Sequence, residues 1–250
     1  GDVAGADALA RRYLDARAAD KDAALAYRAA EWSWTAGRRG EALRQMQDFA
    51  RGAEQGPLRE LASRAYAELT VWNLLAGDRP AAVRTAQQSA ASVGPSSAGI
   101  SAVARFLTQP SASPAEWAAR AGRQFTEPGQ ASIQRFALAY ALLLEKQFQP
   151  AALTLKEIHE SGAPADDEGL QILLGWAYLE TGRTREAGPL IRFNPIPSSS
   201  GPGPFSSFYF PRLYHLRGLE AERQGKPAEA HANYDLFRKI SGPLPLVWDR

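Results

Sequence analysis

The segment LLGWAYLETGRTREA, at residues 173–187, has the hydrophobic pattern of two helices joined by a tight turn. Its large apolar side chains recur at three- and four-residue spacing, which predicts an amphipathic helix. Gly182 is then expected to end that helix in a left-handed conformation. Gly175 and Ala187 are expected where the two helices cross, because small residues let the backbones approach closely.

The same helix–turn–helix pattern recurs along most of the chain. Its anchors are Gly37, Gly77, Lys146, Gly182 and Gly225. The gap before Lys146 is close to two intervals, so a weaker unit is expected near residue 112, where SASPAEWAAR predicts a second helix. The pattern therefore predicts six helical hairpins, and repeats of this kind stack to bury a shared core.

Three segments stand apart from the repeats, which span residues 21–243. Residues 1–20 are expected to form an extra N-terminal helix. Residues 195–211, PIPSSSGPGPFSSFYFP, read as a non-helical insertion between two units, because they are rich in Pro, Gly and Ser. Residues 244–250 read as the start of a missing C-terminal element, and the opening Gly in place of Met favours a fragment of a longer protein.

The pattern resembles the tetratricopeptide repeat (TPR), a helix–turn–helix unit of about 34 residues. The fifth unit carries the likeness best, through Leu174, Gly175, Ala177, Tyr178, Gly182, Glu186 and Ala187, and the sixth follows through Gly218, Gly225, Glu229, Ala230 and Tyr234. The resemblance implies an all-α fold, a right-handed superhelical α-solenoid of about six hairpins whose first helices line the concave side. It also implies protein binding.

The family's register places a set of side chains on the concave face. They are Tyr27, Glu31, Trp34, Arg64, Phe136, Tyr140, Ile172, Trp176, Arg212 and His215. Aromatic residues are over-represented in this set, and large rigid aromatics are effective anchors for a bound peptide. The alternative is that the same aromatics fill the interior. The Lys and Asn with which some family members hold a C-terminal carboxylate are not found here.

The insertion ends in four aromatic residues, which are Phe205, Phe208, Tyr209 and Phe210. They are expected to fold back as a lid over the groove, or to dock a partner. The alternative is a loop that simply packs on the last two repeats.

The amino-acid composition limits the classes of partner that the protein is expected to bind. The chain has 29 basic and 27 acidic residues and no Cys. This near balance gives no field that favours nucleic acid, and the lack of Cys excludes disulfides and thiolate chemistry. The longest apolar run, at residues 136–144, is far shorter than the roughly 20 residues of a membrane span. No membrane insertion is expected; the cytoplasm is the expected compartment, with the periplasm as the alternative.

The chain carries no recognisable catalytic constellation. His159, His215 and His231 lack the spacing of a helical metal site. The GPGPF segment at 201–205 does not suit a phosphate loop, since two prolines remove backbone donors. We therefore expect no enzyme, no metal and no cofactor.

Two functional hypotheses remain. The first is an interaction module that binds a peptide segment or a partner domain through the aromatic groove. A loose similarity of the last repeats to those of multidomain bacterial signalling proteins makes it a regulatory part of a longer chain, where the partner domain could be intramolecular. The alternative is an architectural or oligomer-forming scaffold in a cell-envelope or secretion assembly, which would self-associate with concentration.

Overall fold

The protein is all-α. The computed structural model describes residues 3–127, 129–161, 168–192, 205–243 and 246–247. Within these ranges it contains thirteen α-helices and one short 3₁₀-helix, η1 (Ser206–Phe208). The α-helices are α1 (Val3–Ala19), α2 (Leu25–Thr35), α3 (Arg39–Ala53), α4 (Arg59–Ala76), α5 (Arg79–Ala91), α6 (Ala98–Leu107), α7 (Pro114–Gln124), α8 (Ala131–Leu144), α9 (Phe148–Glu160), α10 (Glu168–Glu180), α11 (Thr184–Ile191), α12 (Arg212–Arg223) and α13 (Pro227–Ser241).

Helices α2 to α13 follow one another as six pairs, and in five of them a left-handed residue follows the first helix. Each of these five residues lies within two positions of the helix end, and each is one of the anchors of the sequence pattern. Their φ angles are 79° for Gly37, 84° for Gly77, 56° for Lys146, 80° for Gly182 and 71° for Gly225. The prediction that Gly182 is a left-handed turn residue is therefore confirmed.

The third pair, α6 and α7, is connected differently. Residues 108–113 replace the short turn, and α7 begins at Pro114. Its N-cap is Ser113, whose Oγ accepts a hydrogen bond from the backbone N–H of Glu116. A Ser N-cap followed by Pro is a strong helix start, which explains why this helix was recognisable from the sequence although its turn was not.

The chain divides into two compact units. Unit 1 comprises Gly1–Arg105 and Leu236–Arg250, and unit 2 comprises Phe106–Asp235. The core of unit 1 mixes alanines with a few large side chains that are almost completely buried; the largest include Tyr66, Trp72 and Met46. Small residues let neighbouring helices approach closely, and the large ones fill the remaining space.

Helix α1 packs on α2 in unit 1 and is joined to it by Asp7. The Asp7 carboxylate accepts hydrogen bonds from Arg11 at 2.6 Å, from the indole Nε1 of Trp32 at 3.0 Å and from Arg38 at 3.1 Å. These donors lower the pKa of Asp7 to about 2, because each favours the charged form of the carboxyl group.

Unit 1 also includes the end of the chain. The backbone N–H of Val247 donates a 2.8 Å hydrogen bond to the carbonyl oxygen of Leu75, and the Leu246 side chain is buried. Gly242 lies against Gly37, so closely that a Cβ built on Gly242 would overlap the Gly37 carbonyl oxygen. Leu246, in the segment 244–250 that was expected to begin a missing element, is thus covered within unit 1; Leu244 and Trp248 lie outside the described residues.

The core of unit 2 contains the helix crossing expected from the sequence. A Cβ built on Gly175 of α10 would lie 2.5 Å from Cγ2 of Ile191 and 3.4 Å from the carbonyl oxygen of Ala187, both on α11. Such distances require glycine at this position. The prediction that Gly175 and Ala187 lie at a close helix crossing is confirmed.

Candidate functional site

Four polar side chains of unit 1 meet between α2 and α4. Tyr27 and Glu31 lie one turn apart on α2, and Arg64 and Glu68 lie one turn apart on α4, so each pair shares a helix face. The Tyr27 hydroxyl donates a 2.6 Å hydrogen bond to Oε2 of Glu68. The Arg64 guanidinium interacts electrostatically with the other three groups. We call these four residues the Glu31–Glu68 cluster.

The cluster is buried at one end and reaches solvent at the other. Tyr27 is 5% exposed and Glu68 is 2% exposed. Glu31 and Arg64 are partly exposed. Among the residues that the structure describes, the buried Nε of Arg64 has no hydrogen-bond partner. An additional ligand group could therefore approach the cluster only from the side of Glu31 and Arg64.

The charges in the cluster do not balance. Burial, reinforced by the neighbouring Glu68 carboxylate, raises the pKa of Glu31 well above its usual value, against the opposing effect of Arg64 and Arg28. Burial also raises the pKa of Glu68, which the Tyr27 hydrogen bond and Arg64 oppose. Two carboxyl groups face one clustered guanidinium, so the carboxyl pair favours keeping a proton.

Trp34, also predicted in the groove, belongs to the core of unit 1. Its ring stacks on Trp72 with 4.5 Å between centroids and an interplanar angle of 5°, and the Arg39 guanidinium lies 5.6 Å from its ring. The Trp34 side chain is 3% exposed, so it supports the helix that carries Tyr27 and Glu31.

The predicted groove residues of unit 2 lie on α8, α10 and α12. Ile172 and Trp176 are completely buried. The buried Arg212 places its guanidinium 4.4 Å from the Trp176 ring centroid, a favourable cation–π geometry. His215 is partly exposed, and its ring centroid lies 5.5 Å from that of Tyr234. In this conformation the buried members fill the interior, which was the alternative open at the level of sequence.

The end of the insertion covers Tyr140, another aromatic residue predicted in this groove. Phe205 stacks on Tyr140 at 5.0 Å between centroids, and Phe208 lies 4.5 Å from it and is completely buried. Phe136 stacks on the same ring at 6.2 Å. Phe205 and Phe208 therefore occupy the space above Tyr140.

The other two aromatics of the insertion are partly exposed. Phe210 lies edge-on to Tyr214 at 6.0 Å, and Tyr209 follows η1 directly. The rest of the predicted lid insertion, up to residue 204, lies outside the described residues.

The sequence reasoning included Tyr27, Glu31 and Arg64 but missed Glu68. A single Glu in the apolar stretch YAELTVW of α4 was the available signal, because a buried carboxylate nearly always needs partners. Its position four residues after Arg64 could have placed both on one helix face.

No group of three or more His, Cys, Asp or Glu among the described residues could hold a metal ion. None of the described helices has the length and apolar content required to span a membrane. No protein-family model matches the chain, and no curated protein matches it significantly.

Proposed function

We propose that this protein is a TPR-like interaction module, a right-handed superhelical array that binds a peptide segment or domain of a partner protein. Five left-handed turn residues at corresponding places after first helices support the repeat assignment. The Glu31–Glu68 cluster supports a binding site on the face formed by α2 and α4, which are the first helices of two hairpins. The module would serve as a regulatory part of a longer chain.

The observation that carries the proposal is the excess carboxyl group at the partly exposed end of the cluster. Buried charges contribute little to stability, and well-packed apolar residues of similar volume would often serve as well or better. Strongly perturbed carboxyl groups are also typical of functional sites. Glu31 is thus better explained by recognition than by folding.

The charge imbalance specifies the recognised group. A Lys or Arg side chain of the partner, placed beside Glu31, would give the cluster two cations for two carboxylates. Binding would then release the proton that the carboxyl pair retains, because a nearby cation favours the ionised form. The proposed ligand is therefore a segment with a basic side chain at its centre.

The test compares the affinities of matched variants for one partner. A partner captured from native lysate would be purified and titrated against the wild type, Glu31→Gln and Glu157→Gln, since Glu157 is an exposed glutamate of α9. Glu31→Gln should raise the dissociation constant at least about tenfold, which corresponds to a loss of about 1.4 kcal/mol in binding free energy. Glu157→Gln should leave the affinity unchanged. Equal affinities of the two variants would exclude the cluster as the binding site.

A second candidate function, the oligomer-forming scaffold, rests on α1. Leu9 is 64% exposed and Tyr13 is 49% exposed, one helical turn apart, so they form a small apolar patch. Sedimentation velocity over a range of concentrations would show self-association that Leu9→Lys/Tyr13→Lys removes and Asp15→Lys, on exposed Asp15, leaves intact. A monomer at all concentrations would rule this function out.

A further inference from the structure

A polar trough lies between α3 and α5 in unit 1, with α4 as its floor. Its cavity has a volume of about 770 Å³, within the range of roughly 300–1,000 Å³ that is usual for ligand pockets. The walls come from second helices of two hairpins, so the trough is separate from the Glu31–Glu68 cluster between α2 and α4. None of its lining residues was included in the predicted groove.

Both walls of the trough carry arginines without carboxylate partners. Arg44 and Arg51 project from α3, Arg84 projects from α5, and all three are exposed. Within the described ranges, none of these guanidinium groups forms an ion pair, in contrast to Arg38, which binds Asp7 at 3.1 Å. The cavity lining holds a single carboxylate, Asp48. The trough therefore has an excess of positive charge that is available to an anionic ligand.

The remaining polar lining suits a peptide backbone. Gln47, Asn73 and Gln88 line the cavity with side-chain amides, and each amide offers a donor and an acceptor, as a peptide group does. Asn73 lies on the floor at 9% exposure, and its side chain forms no hydrogen bond with a described residue. Its amide borders the cavity, so a ligand that enters the trough could pair with it.

The trough continues beyond Gln88. A second cavity of about 600 Å³ shares this residue and is lined further along by Arg59, Ser92 and Glu54, whose carboxylate accepts a hydrogen bond from the Tyr66 hydroxyl. Arg59 lies at its edge and donates a 2.9 Å hydrogen bond to the carbonyl oxygen of Ala91. The two cavities together favour an elongated ligand over a compact one.

We propose that this trough binds an extended acidic segment of a partner protein. The carboxylates of the segment pair with Arg44, Arg51 and Arg84, since guanidinium groups bind carboxylates in a bidentate geometry. Its backbone pairs with the amides of the floor and walls. A nucleic-acid strand fits less well, because the lining has no aromatic side chain on which bases could stack.

The test is a selection of random dodecapeptides displayed on phage, with the whole protein immobilised. The wild type should enrich peptides in which Asp and Glu exceed their input frequency. The strongest of them should bind the Arg44→Gln/Arg84→Gln variant at least about tenfold more weakly, as the loss of a charge-assisted hydrogen bond implies. Added salt should weaken the wild-type interaction in the same direction.

Two further variants make the result decisive. Arg12→Gln/Arg185→Gln removes two exposed arginines outside the trough, with the same change in net charge, and should retain binding. Asn73→Asp keeps the shape of the floor but adds a negative charge, and should abolish binding while circular dichroism shows a folded protein.

Three outcomes would overturn the proposal. These are peptides without acidic enrichment, equal losses in the two double-arginine variants, or a single-stranded oligonucleotide that competes for the trough with higher affinity. None of these variants changes Glu31. A negative result for the trough is therefore distinguishable from a negative result for the proposed basic-segment site at the Glu31–Glu68 cluster.

Discussion

Tyr27 of α2 donates a 2.6 Å hydrogen bond to Glu68 of α4, and both side chains are almost fully buried. This bond satisfies one carboxylate of the cluster and leaves Glu31, four residues after Tyr27, as the surplus acid beside Arg64. Burial, followed by the Glu68 charge, raises the pKa of Tyr27 as well, so the hydroxyl remains a donor. The arrangement links the packing of two helices to the charge of a partly exposed site.

The raised pKa of Glu31 predicts how stability depends on pH. A carboxyl group whose pKa is higher in the folded state binds more protons there, so it stabilises the fold at acidic pH. This contribution is lost as the pH rises from the pKa of the unfolded state, about 4.3, through the raised pKa of Glu31 in the folded state. Glu31→Gln should therefore reduce the loss of stability with rising pH. Above neutral pH it should increase the free energy of unfolding by at least about 1.4 kcal/mol, the equivalent of a one-unit pKa shift.

Urea denaturation at a series of pH values measures this effect. Glu157→Gln, on the exposed face of α9, is the matched control for removal of one carboxylate. Identical stability profiles for the two variants would contradict the charge imbalance assigned to the cluster.

Gly175 predicts the cost of filling the crossing between α10 and α11. Gly175→Ala adds a Cβ 2.5 Å from Ile191 and 3.2 Å from Cβ of Leu190, and such overpacking costs about 1–3 kcal/mol. Gly52→Ala, in α3 with no atom within 4 Å of the added Cβ, should instead stabilise by about 0.5–1 kcal/mol through helix propensity. Thermal unfolding of both variants checks the opposite signs.

Lys146 is the one repeat anchor that is not glycine, and it predicts a stabilising substitution. Its φ of 56° costs an ordinary residue about 1 kcal/mol, and its side chain is exposed. Lys146→Gly should raise the free energy of unfolding by about 0.5–1 kcal/mol, whereas Lys156→Gly within α9 should lower it by about 1 kcal/mol. A destabilised Lys146→Gly variant would mean that its side chain has a role beyond the turn.

The contact between Gly37 and Gly242 predicts that the end of the chain stabilises unit 1. Gly242→Ala would force a Cβ into the Gly37 backbone at a φ of 64°. Gly225→Ala meets similar backbone strain at 71° but has open surroundings. Gly242→Ala should therefore cost at least about 1 kcal/mol more than Gly225→Ala, as measured by denaturant unfolding. Equal costs would show that the contact carries no stability.

The sequence predicted what depends on local chemistry. Four of the hairpin turns follow from Gly at fixed places, and α7 follows from its Ser–Pro start, because these residues act within one turn of the chain. The turn at Lys146 was found only by its place in the repeat. The close crossing at Gly175 was also accessible, since a repeat pattern places small residues against each other.

What the sequence could not predict depends on contacts between distant residues. Nothing local in Gly242 or Val247 indicates that they meet Gly37 and Leu75. The register of the repeats placed Tyr27, Glu31 and Arg64 on one face, but whether an aromatic such as Trp176 is exposed or buried depends on how neighbouring helices pack. The trough on α3 and α5 was missed because exposed Arg and Gln are ordinary on any helix surface.

The most direct test of the proposed site is a calorimetric titration of the captured partner in two buffers with different heats of ionisation. The difference between the buffers gives the number of protons released on binding. The Glu31–Glu68 cluster predicts net proton release near neutral pH in the wild type and its loss in Glu31→Gln. Equal proton release in the wild type and Glu31→Gln, or none in either, would contradict recognition of a basic side chain by this cluster.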